Sequence, residues 1–302
     1  MLASLNKIIG VPGTLRGMVL MVLGGLAGQV MVVLVRQVSA ELHPFEITFF
    51  RATFGLIALT PLFARYGLAS FRTKRLGLHA LRGVVNASVG LTFFMALTLI
   101  SLAKVSALSF TAPLFTTVMA VFLLGETIRL RRIVALCIGF AGAWVILRPG
   151  FEDVESGSLL VLAGSAGFAA TMLMAKVLTR TESSVAITLY TTVFSIPVAL
   201  AAAIPVWRAP TGEELAWLAG ICTFGTLTHL CFNQAIKEAE LTAILPLDFT
   251  RLIWASLAGY IFFAEVPGAW TWVGGAVIFA SGTYLAIRER GLSDERKPEP
   301  AA

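Results

Sequence analysis

Two stretches of this chain are versions of one another. Leu102–Glu126 reads LAKVSALSFTAPLFTTVMAVFLLGE, and Leu241–Glu265 reads LTAILPLDFTRLIWASLAGYIFFAE. Each is apolar, carries a Phe-Thr pair near its middle and a proline inside it, and ends in glutamate. An offset of 139 residues brings Phe110 onto Phe249, Thr111 onto Thr250 and Glu126 onto Glu265. An offset of 140 carries Gly17 to Gly157, Gly24 to Gly164, Arg36 to Lys176, Phe54 to Phe194, Gly142 to Gly282 and Arg148 to Arg288. A fixed period of that kind divides the chain into two homologous halves.

The solvent of those halves follows from how few charges they carry. Only 13% of the 302 residues are charged and 57% are apolar, with a mean hydropathy of +0.85. A soluble domain is nearer a quarter charged. Such a chain cannot cover a water-facing surface, so the bilayer is its solvent. A spanning helix needs about 20 mostly apolar residues. Ten stretches fit: 15–35, 45–64, 82–100, 103–125, 130–148, 157–178, 184–206, 215–235, 241–264 and 268–287. The first apolar run is too long for the core of a signal peptide and lacks a small-residue cleavage site, so it counts as a span. The expected fold is an all-α integral membrane protein with ten transmembrane helices. They form two five-helix repeats, 15–149 and 157–288, followed by a disordered cytoplasmic tail, 289–302.

Five spans per repeat is an odd number, so the second half enters the membrane from the opposite face. Inverted repeats of this kind belong to secondary transporters. With the N-terminus inside, the inner segments hold 17 Lys and Arg residues. The outer segments hold four: Arg36, Lys104, Arg148 and Arg208. That asymmetry puts both termini in the cytoplasm, as expected of a multi-pass protein of a bacterial-type inner (plasma) membrane. It also accounts for the net charge of +6 without a nucleic-acid partner. Cys137, Cys222 and Cys231 all lie in apolar segments without metal-ligand spacing and read as packing residues.

The stretch from Phe93 to Gly150 resembles the end of an EamA-type repeat of the drug/metabolite transporter superfamily. The features that carry it are the aromatic end of the third span with Ala96-Leu97, the run of small residues, Pro113, the Leu124-Gly125-Glu126 ending and a glycine-rich fifth span. The second half repeats the pattern with two departures: Ala264 replaces the glycine before Glu265, and Pro246 sits earlier in its helix than Pro113. The resemblance implies a ten-helix transporter of small organic solutes such as amino acids, nucleotide-like metabolites, vitamins or drugs. The string Asp248-Phe-Thr-Arg-Leu further resembles members that take up S-adenosylmethionine or riboflavin.

Asp248 and Arg251 are the sharpest candidates for a site. A charge near the bilayer centre costs about 2.5–3.5 kcal/mol on insertion scales, so it is retained facing a cavity or a partner. At 1.5 Å per residue from Leu241, Asp248 lies about 10 Å deep and Arg251 about 15 Å deep. Spaced i to i+3, they share a helix face. A buried internal pair and a substrate contact are both open to them. The repeat favours the second, because the first half has Ser109 and Ala112 in their places and a solute has no two-fold symmetry. An amino-acid-like solute would present a carboxylate to Arg251 and an ammonium to Asp248. Trp254, Phe110, Pro113, Asn86, His229, Asn233 and Gln29 complete the set of candidate substrate contacts, with interhelical glue or packing as the plainer reading of each.

Three more charged positions read as structural. Arg51 has Thr191 as its mate in the second half, and snorkelling or pairing with helix ends is its expected role. Glu126 and Glu265 sit where one span ends and the next begins, where a carboxylate meets the positive end of the following helix. No phosphate-binding loop, zinc-protease motif or nucleophile elbow occurs. The chain therefore reads as no enzyme, with no cofactor and no metal. Its partners are a small organic solute and membrane lipid, and a homodimer is compatible with this architecture. A broad-specificity drug/metabolite exporter is the main alternative. A channel, a non-transporting membrane subunit and an intramembrane enzyme follow. A channel would need a continuous polar stripe, a subunit would show no activity of its own, and an enzyme would need a nucleophile or metal set.

Overall fold

The structure, a computed structural model, describes residues 13–66, 73–124, 130–149, 153–179, 181–182, 184–239 and 247–294. Its regular elements are helices: α1 Gly13–Val38, α2 Pro44–Tyr66, α3 Leu76–Leu99, α4 Leu102–Ser109, α5 Ala112–Leu124 and α6 Leu130–Leu147. They continue with α7 Ser156–Leu178, α8 Ser184–Ala203 with a 3₁₀ turn at Ile204–Val206, α9 Gly212–Glu238, α10 Thr250–Phe263 and α11 Ala269–Asp294. Among the described residues six stretches are long and apolar enough to cross a membrane: 14–38, 76–99, 102–122, 156–178, 186–206 and 212–232. Shorter apolar helices cover Ile133–Leu147 and Thr250–Phe263.

Local chemistry sets the helix ends. The Thr211 hydroxyl accepts the Glu214 N–H, and the Glu214 carboxylate accepts the Thr211 N–H at 2.6 Å, a reciprocal capping box that opens α9. Ser101 accepts the Lys104 N–H at the start of α4. The stretch expected to be a single span at 103–125 is interrupted at Phe110–Thr111, between α4 and α5. Pro113 explains the position. It has no N–H for the Ser109 carbonyl, and it is tolerated in the first turn of a new helix where that N–H would have no partner.

Packing runs mainly between the halves: α1 lies on α9, α3 on α7, α2 on α8, α4 on α10 and α6 on α11. Glycines set the closest approaches. A methyl added at Gly17 of α1 would collide with Ala239, just past α9. One added at Gly157 of α7 would come within 2.8 Å of Leu99 and Ile100 at the end of α3. Between α6 and α11, a methyl on Gly274 would meet the Gly142 carbonyl at 2.5 Å. The centre of the molecule is α4, six of whose eight residues are buried. Large apolar side chains such as Phe122 at 82% exposure and Trp144 at 66% cover the outside. A surface of that kind is stable against lipid tails and not against water.

Candidate functional site

The two Phe-Thr pairs occupy equivalent breaks. The helix stops at Phe110 and restarts at Ala112. In the second half Leu247 and Asp248 are helical, Phe249 is a turn, and α10 begins at Thr250. Each threonine hydroxyl donates to the carbonyl three residues back, Thr111 to Leu108 at 2.7 Å and Thr250 to Leu247 at 2.6 Å. Each bond ties the threonine side chain back onto the turn that ends the preceding helical segment. The rings of Phe110 and Phe249 stack on each other with centroids 5.9 Å apart, and Phe279 of α11 closes on both. Pro246 lies outside the described residues. Pro113 is turned toward Gly282 of α11, 3.7 Å from where a methyl on that glycine would sit.

Asp248 and Arg251 form the i to i+3 pair, with carboxylate and guanidinium 3.5 Å apart and side chains 21% and 38% exposed. The aliphatic stem of Arg251 packs on Gly25 of α1, where a methyl would approach it to 3.2 Å. Higher on the same helices Arg36 stacks on Phe263. The residue offset between the two contacts is nearly constant, so α1 and α10 run parallel. That register puts Gln29 at the level of Trp254 and Ala255. Gln29 is 4% exposed, and its Oε1 and the Trp254 Nε1 are both buried without a hydrogen-bond partner. An acceptor and a donor without partners therefore lie at one level of this seam.

A second polar locus lies between α2, α3 and α8. A cavity of about 100 Å³ is lined by Thr48, Arg51, Ala52, Gly55, Asn86, Ala87, Thr192, Ser195 and Ala199. The Arg51 guanidinium carbon sits 5.5 Å from the Phe94 ring centroid. Its Nε is buried without an acceptor. No carboxylate among the described residues pairs with it. Asn86 donates to Ser195 at 3.3 Å, and Ser195 donates to the carbonyls of Gly83 and Thr191 at 2.9 and 2.7 Å. On α9, which packs on α2, Cys222 and His229 lie two turns apart on one face. The Asn233 side chain lies outside the described residues. Thr48, Thr192 and Ser195 are cavity residues that the sequence reading missed. Hydroxyls are common in spans and usually bond back to their own helix, so nothing marked these three.

The helix ends carry charge pairs of their own. Glu265 pairs with Arg36 of α1, and its other oxygen accepts the Leu102 N–H at 2.9 Å at the start of α4. The helix N-terminus it meets is therefore that of α4 in the other half, not that of α11. Glu126 lies outside the described residues. At the opposite end His79, fully buried, meets Glu182, which also accepts from Thr73. Among the described residues no cluster of His, Cys, Asp and Glu could hold a metal ion.

A bundle of long apolar helices with large apolar side chains on its outer face defines a multi-pass membrane protein. The comparisons with known proteins narrow the class. Residues 15–148 and 155–287 each match the EamA-like transporter family, so the chain belongs to that family. It is a membrane transporter of small organic solutes and not an enzyme. The chain is 31% identical over 267 residues to an S-adenosylmethionine uptake transporter of Rickettsia felis, covering 88% of this chain and 90% of that one. It is 31% identical over 291 residues to a riboflavin transporter of Rhizobium johnstonii, covering 93% and 94%. A pseudopaline exporter of Pseudomonas aeruginosa is 29% identical over 280 residues, covering 91% and 97%. A solved crystal structure shares the fold, with a TM-score of 0.58 at 18% identity over 92% of this chain and 98% of that one.

Proposed function

We propose that this chain is a secondary carrier that moves a small organic metabolite across the inner membrane by alternating access between two inverted five-helix repeats, 15–149 and 157–288. Ten spans result when α4 and α5 count as one broken span and α2, α6, α10 and α11 join the longer apolar helices. The observation that carries this reading is an exchange of equivalent contacts. The approach of Gly17 to Ala239 and that of Gly157 to Leu99 are the same contact with the halves interchanged. Phe110 and Phe249, equivalent residues, touch each other, as they must if they flank a two-fold axis in the membrane plane. Repeats related in that way place the substrate near the midplane, at discontinuous helices. Both termini then lie in the cytoplasm.

The solute class we assign is amino-acid-like, nucleoside-containing as in S-adenosylmethionine, or a vitamin such as riboflavin. It is supported by the names of the relatives and by the polar groups of the interior. Asp248, Arg251, Trp254, Phe110, Gln29, Asn86, His229 and Asn233 are the residues we assign to its path, and Glu126 and Glu265 to the fold. The test is counterflow in liposomes holding the purified chain, with amino acids, S-adenosylmethionine and riboflavin as solutes. Saturable exchange of one of them is the expected result. Unsaturable flux would instead make the chain a channel, and no flux at all would make it a subunit. Export is the second reading, favoured by the pseudopaline exporter among the relatives, and vesicles of both orientations separate it from uptake.

A further inference from the structure

Resting on that carrier reading, we propose that the Arg51 cavity is the subsite for a carboxylate of the transported solute. The two intramembrane arginines differ in what faces them. Arg251 already has the Asp248 carboxylate at 3.5 Å. Arg51 has a buried Nε without an acceptor and no described carboxylate beside it. A cation taken out of water without a counter-ion is unfavourable, and it persists where function supplies the counter-ion part of the time.

The surroundings specify the form of that counter-ion. Phe94 lies over the guanidinium face, a cation–π contact that leaves the in-plane N–H groups as the directions open to a ligand. The hydroxyl protons of Thr48 and Ser195 are committed to the carbonyls of Pro44, Gly83 and Thr191. Arg51 and the second N–H of Asn86 are therefore the donors that remain. A planar fork beside a single amide suits a planar monoanion, which a guanidinium grips through two parallel hydrogen bonds. One positive charge balances one carboxylate and leaves a phosphate dianion half compensated. The volume agrees. A cavity of about 100 Å³ has room for a carboxylate. Thr191 stands in the Arg51 position in the second half and is occupied as the acceptor of Arg82. The cavity thus belongs to one repeat, as a subsite for an asymmetric solute should.

The test uses the full chain in liposomes. Saturable uptake is measured for the common amino acids, S-adenosylmethionine and riboflavin, and the best acid is compared with its methyl ester. Wild type should prefer the acid by at least about tenfold, the size of a charge-assisted hydrogen bond. Arg51→Gln should abolish that preference by weakening the acid and sparing the ester, and Arg51→Lys should keep part of it. Equal affinity for acid and ester in wild type overturns the assignment, as does a folded Arg51→Gln variant that retains the preference. If Arg51→Gln does not fold, the wild-type comparison decides alone. Uptake confined to riboflavin, which has no carboxylate, overturns the subsite and leaves the carrier standing. No uptake of any solute removes both.

Discussion

Phe110 and Phe249 stack with their ring planes 24° apart, and each is the residue at which its own helix breaks. Two equivalent weak points of the backbone are thus held together by one aromatic contact at the seam between the halves. Aromatic pairs contribute about 0.5–1.5 kcal/mol beyond their burial. A double-mutant cycle with Phe110→Leu, Phe249→Leu and the double change, read by thermal unfolding in detergent, should show coupling of that size. Strict additivity would mean that the rings merely fill adjacent space.

The glycine contacts make a paired prediction. Gly17→Ala and Gly157→Ala each insert a methyl where the opposing helix end already stands. Overpacking of this kind costs about 1–3 kcal/mol. Both variants should lower folded yield and thermal stability to similar extents. A large loss in one and none in the other would show that the two interfaces are not equivalent.

How legible the fold was depended on the range of each interaction. The repeated Phe-Thr pairs were visible because the motif occurs twice, but 103–125 and 241–264 each read as one span, and the break at each pair emerges only in the structure. The Asp248–Arg251 pairing was visible because i to i+3 spacing on a helix fixes it. Arg36 with Glu265 was not visible, since the partners are far apart in sequence and meet only through the parallel packing of α1 and α10. The carboxylate was expected at the helix that follows it and instead meets α4. Arg51 is the instructive case. An isolated arginine in a span suggests snorkelling, and only the tertiary arrangement of α2, α3 and α8 encloses it with Asn86 and Ser195.

Glu265 should matter to the fold more than to the solute. Glu265→Gln keeps an oxygen for the Leu102 N–H and leaves the Arg36 guanidinium without its counter-charge. A partly buried charge stripped of its partner costs about 1–3 kcal/mol. Folded yield should fall while the KM of the surviving carrier stays near wild type. Combining it with Arg36→Gln should recover most of the yield, because no unpaired charge then remains. A normal yield with abolished binding would move Glu265 into the site.

Topology offers an independent check. Lys and Arg are biased 17 to four toward the segments expected to be inner, which predicts a cytoplasmic end for α11. A reporter that is active only in the periplasm, fused after Asp294, should be silent. Activity there would remove the inversion of the second repeat along with the orientation.

The last prediction concerns the Asp248–Arg251 pair. At 3.5 Å, with side chains 21% and 38% open, the pair is loose and only partly enclosed by the bundle. Its retention in α10 is therefore poorly explained by glue alone. The single changes Asp248→Asn and Arg251→Gln should each weaken solute binding while leaving expression nearly intact. Asp248→Ala combined with Arg251→Ala separates the two roles, because it removes both charges and leaves none unpaired in the membrane. If the pair only holds the bundle, the double variant should fold and transport nearly as wild type does. If it orients the solute, folding should be retained and counterflow lost. The stem of Arg251 against Gly25 adds a packing loss to any alanine variant. Arg251→Met, which fills the same groove without the charge, is the companion that isolates the electrostatic part. We expect Asp248→Ala with Arg251→Met to match wild type in thermal stability and to fail in counterflow. A fully active double variant would return both residues to a structural role.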